Sequence, residues 1–120
     1  MSVQNDPAFQ ARLRALSEQF AKTIPVTLDQ LRTGRAMLAD GSADEACYKQ
    51  VLQALHAAAG SAATFGYPEF GQQARLVEHA LLALRAAGPV AAADLHSWLA
   101  SLDRFIAWAE QDPQAPFPAA

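Results

Sequence analysis

The sequence predicts an all-α protein, an up-and-down antiparallel four-helix bundle with an additional N-terminal helix. Three observations carry this. Alanine supplies 28 of the 120 residues and leucine another 14. Both are strong helix formers, and β-branched residues are scarce. Apolar residues recur at helical spacings of three and four along most of the chain. Proline and glycine fall between these runs, leaving long segments joined by short connections, which favour antiparallel neighbours. A chain of this length builds one sizeable core and no second folded unit. The expected domain is a bundle over 1–112, followed by a flexible proline-rich tail over 113–120.

Asp6-Pro7 reads as a helix start, an N-cap acid followed by proline at the first helical position. Phe9, Leu13, Leu16 and Phe20 follow on one apolar face. Pro25 then stands either in the first turn of a second helix or at a kink in one long helix, with Leu28, Leu31 and Leu38 resuming the pattern. Asp40-Gly41-Ser42 signals a turn, and Ser42 with Glu45 has capping-box spacing. The next helix directs Val51, Leu52, Leu55, Ala59 and Ala62 inward. Phe65-Gly66-Tyr67-Pro68 ends it. Another helix starts near Pro68 with Phe70, Ala74, Val77, Leu81 and Leu84 apolar, and Gly88-Pro89 closes it. The last runs from about Ala92 to Gln111, where Trp98, Phe105 and Trp108 match core spacing. Three of the seven prolines lie beyond Asp112, so the tail is expected to stand apart from the fold.

The composition limits the function. Hydrophobic residues make up 52% and charged residues 18%, with a net charge of −3. No run of bases appears, so nucleic acid is not the expected partner. No segment has the length and apolarity of a membrane span, and no secretory signal is visible at the start. Cys47 is the single cysteine and has no disulfide partner, which fits a reducing cytoplasm. No cofactor is expected. No Glu-x-x-His pair occurs, and Cys47 lacks metal-ligand spacing, so no metal site is expected. No glycine loop suited to phosphate is present.

The informative segment is Leu55 to Gly66. Lys49, Gln53, His56 and Gly60 share one stripe of the helix, largely opposite the apolar side. His56 should therefore point outward. Glycine inside a helix costs about 1 kcal/mol relative to alanine, and alanine is abundant around it. Close approach of another surface, one turn beyond His56, gives a reason for Gly60. With Ala57, Ala59 and Ser61 also small, the result is a low patch with one imidazole above it. His79 and His96 read as surface histidines. Ser61 lies five residues from His56 on one helix and points elsewhere, which disfavours a serine nucleophile.

This segment resembles the histidine-containing phosphotransfer (HPt) domain of multi-step two-component phosphorelays. That family's signature is His-x-x-Lys-Gly-Ser/Ala-Ala, then Phe or Leu and Gly. The chain matches at His56, Gly60, Ser61, Ala62, Phe65 and Gly66, and departs at Ala59, where lysine is usual. The resemblance continues through Phe70, Ala74, Val77 and Glu78 and covers about Asp6 to Gln111. It implies that His56 accepts a phosphoryl group from a receiver-domain aspartate and passes it to another receiver. The implied partners are receiver domains of a hybrid sensor kinase and of a response regulator. The receiver would supply Mg²⁺, and this chain would be a phosphocarrier and not a turnover enzyme. Gln53, Ala57, Gly60 and Ser61 would form the receiver-docking surface. The implied oligomeric state is a monomer.

A hairpin centred on Tyr67 places residues whose numbers sum to about 134 at equal height on neighbouring helices. His56 is then level with Glu78, and Ala59 with Arg75. Arg75 and Glu78 are three apart and share a face. Glu78 is thus expected to accept a hydrogen bond from His56, and Arg75 to substitute in part for the absent lysine. An Arg75–Glu78 surface ion pair is the plainer alternative for those two residues. Two other functions compete. One is a phosphorylation-incompetent module of the same fold that docks a receiver or kinase. The other is a purely structural helical bundle.

Overall fold

The computed structural model describes residues 6–41 and 44–118. Four helices follow in order: α1 (Pro7–Ala39), α2 (Glu45–Ala62), α3 (Pro68–Ala86) and α4 (Ala92–Gln111). α1 packs on α2 and α4, and α3 packs on α2 and α4, so each helix touches its two neighbours around a closed ring. No strand occurs among the described residues. The fold is an antiparallel helical bundle, as the periodicity predicts.

One element differs. The additional N-terminal helix is not separate: Pro7 to Ala39 form one uninterrupted α1 of 33 residues, with Pro25 inside it. Proline removes one backbone donor and so frees the carbonyl four residues earlier, here that of Ala21. Pro25 is exposed, so the lost bond lies where water can replace it. Two residues earlier, the Thr23 hydroxyl donates to the Phe20 carbonyl at 2.7 Å. Ile24, Leu28, Leu31 and Leu38 are buried on the same face that carries the earlier stripe, which keeps α1 committed to the bundle across the proline.

Local chemistry sets the other ends. The Asp6 carboxylate accepts from the Ala8 amide at 3.0 Å, as expected of an N-cap ahead of Pro7. The capping box assigned to Ser42 lies outside the described residues. The N-cap of α2 is Asp44, whose side chain accepts from the Cys47 amide at 3.0 Å. Gly66 has φ +95°, a left-handed turn conformation that glycine adopts without strain. The chain thereby reverses within a few residues and starts α3 at Pro68 alongside α2.

The core is continuous. Phe70, Phe105, Leu31, Leu55, Leu81, Leu102 and Val51 are its largest fully buried side chains. Leu52, expected inside, is only half-buried. Charged pairs fasten the rim: Arg35 bridges α1 to Asp103 of α4 at 3.0 and 2.9 Å, and Arg85 of α3 pairs with Glu45 of α2. The tail does not stand apart as expected. The Phe117 ring meets Trp108 edge-on at 5.2 Å, and the Gln114 amide donates to the Gly66 carbonyl at 3.0 Å. Burial of an aromatic ring outweighs the proline content of this segment.

Candidate functional site

The site is built on α2 and α3, which approach closely at Gly71. Two glycines permit such approaches, and neither stands out from the sequence. A Cβ on Gly71 would sit 3.0 Å from the Ala62 Cβ and 3.4 Å from the Ala59 carbonyl oxygen. A Cβ on Gly34 would collide with Val51, which brings α1 onto α2. The signal was available in both cases, as glycine within a helical run. Sequence alone does not tell which neighbour requires it.

On the outer side of α2, His56 is held at one end and free at the other. Its Nδ1 lies 3.0 Å from Oε2 of Glu78 on α3. The His56 side chain is 80% exposed, whereas that of Glu78 is 9% exposed. Glu78 is the only buried charged residue among those described. A carboxylate facing Nδ1 as an acceptor fits the tautomer in which Nδ1 carries the proton and donates. The lone pair is then on Nε2, at the solvent side of the ring. Trp98 of α4 donates from Nε1 to the Val77 carbonyl at 3.0 Å. This bond ties the α3 backbone next to Glu78 to α4.

The surroundings of His56 are low. Gln53, Ala57 and Gly60 are exposed and Ser61 is half-buried. A Cβ on Gly60 would meet nothing within 4 Å, so packing inside the chain does not call for glycine there. A shallow groove of about 260 Å³ borders the patch, lined by Phe20, Thr23 and Thr27 of α1 and Ala57, Ala58 and Ser61 of α2.

Two expected residues stand differently. Ala59 is buried in the α2–α3 contact, not open beside the imidazole. Arg75 is exposed and makes no hydrogen bond or ion pair with His56 or Glu78. The alternative Arg75–Glu78 ion pair does not form either, because Glu78 turns to His56. His79 and His96 are exposed and lie outside this cluster. Cys47 is buried behind the α2 N-terminus, and burial pushes its thiol above the ordinary range, with Asp44 and Asp40 adding to the shift.

A family model, the Hpt domain, matches residues 15–108. The chain belongs to the Hpt domain family. The match spans His56, Gly60, the Phe65-Gly66 turn and Glu78, so every residue of the site lies within it. Hpt domains are phosphocarrier modules of two-component signalling, and the all-helical bundle agrees with that assignment. No curated protein and no solved structure matches the chain. No helix among the described residues is long and apolar enough to cross a membrane.

Proposed function

We propose that His56 is the phosphoacceptor of this Hpt domain, taking a phosphoryl group from the aspartyl phosphate of one receiver domain and delivering it to another. The observation that carries this is an exposed imidazole whose Nδ1 is bound by a buried carboxylate, Glu78, at 3.0 Å. In the forward step the Nε2 lone pair attacks phosphorus. The bond from phosphorus to the aspartate oxygen breaks, and its electron pair leaves with the carboxylate. The ring becomes cationic, and the Nδ1–H bond to Glu78 spreads that charge. Onward transfer reverses the sequence: a second aspartate oxygen attacks, the N–P bond breaks, and its pair returns to Nε2. Positioning and charge stabilisation dominate such transfers. Glu78 positions the ring, and the low patch of Gln53, Ala57, Gly60 and Ser61 leaves room for the receiver to close over it.

The partners that fit are the receiver domain of a hybrid sensor kinase as donor and that of a response regulator as acceptor. The test charges receiver domains with a small phosphodonor and incubates them with wild type and with His56→Gln. Glutamine can still donate to Glu78, so the variant keeps its fold. The expected result is acid-labile label on wild type and none on His56→Gln. Label on both would remove His56 from the reaction. Absence of label from several receivers, with binding retained, would make the chain a docking module that does not accept phosphate.

A further inference from the structure

Of the two buried tryptophans, one indole N–H has a partner and the other has none. Trp98 donates from Nε1 to the Val77 carbonyl at 3.0 Å. Trp108 Nε1 is buried without a partner among the described residues. Packing a tryptophan into this fold therefore does not by itself secure a bond for its N–H. The carbonyl that Trp98 takes belongs to the planar peptide group joining Val77 to Glu78. α4 thus grips α3 at the residue whose carboxylate reaches towards α2 and meets His56.

This bond has no substitute along the α3–α4 contact. Arg35–Asp103 and Arg32–Glu110 tie α1 to α4, and Arg85–Glu45 ties α3 to α2. Between α3 and α4, Trp98–Val77 is the only side-chain hydrogen bond or ion pair among the described residues. Phe70 packs on Phe105 at 5.3 Å nearer the start of α3, but apolar contact is non-directional and sets separation more than rotation. Beside Trp98 lies a shallow groove of about 260 Å³ whose walls include Ala80, Ser97 and Ser101, side chains too small to interlock. A hydrogen bond is directional, so the indole sets the rotation of α3 at this level. The tolerance is narrow. Turning a helix by about 10° moves a group at its outer radius of about 5–6 Å by about 1 Å. Starting from 3.0 Å, that takes the Glu78–His56 contact out of hydrogen-bond range.

We propose that Trp98 is a positioning residue for the phosphoacceptor: its N–H, bound to the Val77 carbonyl, holds α3 in the rotation at which Glu78 meets Nδ1 of His56. The test compares Trp98→Phe with Trp108→Phe in the full chain. Both remove one indole N–H and trim one buried ring, but only the first removes a hydrogen bond. ¹⁵N NMR of the uncharged protein, with the His56 ring neutral, reports which ring nitrogen carries the proton. That choice follows the partner of Nδ1. Wild type and Trp108→Phe should be protonated on Nδ1, and in Trp98→Phe that share should fall. Phosphoryl acceptance from a charged receiver should slow about 10-fold in Trp98→Phe and stay near the wild-type rate in Trp108→Phe. Replacing both indoles by benzothiophene keeps ring size and removes only the N–H groups, so it should reproduce the Trp98→Phe tautomer shift with the packing intact. A merely structural Trp98 would lower stability to urea and leave the tautomer alone; that result, in either the phenylalanine or the benzothiophene protein, would overturn the proposal. So would an equal tautomer shift in Trp108→Phe. The rate prediction rests on His56 being the phosphoacceptor. The tautomer prediction does not, so a wild-type chain that accepts no phosphate would end that reading while the ring measurement still decides the role of Trp98.

Discussion

The two sides of α2 use the same small residues for opposite ends. On the inner side, Ala59 and Ala62 are small because α3 lies against them, and Gly71 completes the contact: a Cβ there would crowd Ala62 at 3.0 Å. On the outer side, Gly60 has open space around it. Among the described residues, nothing lies within 4 Å of where a Gly60 side chain would begin. A helical glycine that packing does not require costs stability without an internal return. Small residues in a helix therefore divide by what they face. Those facing a neighbour serve the fold, and those facing solvent beside a held imidazole serve a visitor.

Substitutions on each side separate the two roles. The largest expected effect on stability is at Gly71, where leucine overpacks the α2–α3 contact. Gly71→Leu should cost about 3 kcal/mol in chemical denaturation. Gly60→Gln should do the opposite, leaving stability unchanged or higher by up to about 1 kcal/mol. The same variant should accept phosphate from a charged receiver about 10-fold more slowly or worse, because the side chain stands where the receiver closes. A Gly60→Gln protein that unfolds, or that accepts at the wild-type rate, would erase the distinction between the two sides.

Glu78 joins the two sides, since its carboxylate is buried with the fold but meets the exposed ring. Glu78→Ala should retain the bundle and slow phosphoryl acceptance by about 10- to 100-fold, as loss of an orienting partner commonly does. Arg75→Ala should change the rate by about twofold at most, because Arg75 has no contact with the pair and acts only through screened charge. A larger loss would give Arg75 the substitute-lysine role.

The smallest effect belongs to Cys47 on the inner side. Burial raises its thiol above the ordinary range, so the folded chain holds this proton at pH values where the unfolded chain has released it. The associated stability is complete below the unfolded thiol range and is lost as pH rises above about 8.5. Urea titrations at neutral and high pH should therefore show a shallower decline for Cys47→Ala than for wild type.

Much of this arrangement was legible in the sequence because it is set locally. Asp6-Pro7, Pro68 and Gly88-Pro89 mark helix ends through backbone chemistry that operates within a few residues. The His56–Glu78 meeting follows from hairpin arithmetic about Tyr67, since two helices joined by a short turn must run level. What stayed hidden depends on distant partners. Pro25 is compatible with a break or a continuation, and burial of Ile24 and Leu28 on either side decides for continuation. The tail reads as a linker until the Phe117 ring finds Trp108. Gly34 and Gly71 look like isolated helix glycines until Val51 and Ala62 are placed against them.

If Glu78 holds the Nδ1 proton of His56, Nε2 is left to react. The decisive measurement is ¹⁵N and ³¹P NMR of the protein charged from a receiver, which reports the ring nitrogen that bears phosphorus. Phosphorus on Nε2 of His56, with Nδ1 still protonated, is the predicted result. Phosphorus on Nδ1, or on any residue other than His56, would contradict it.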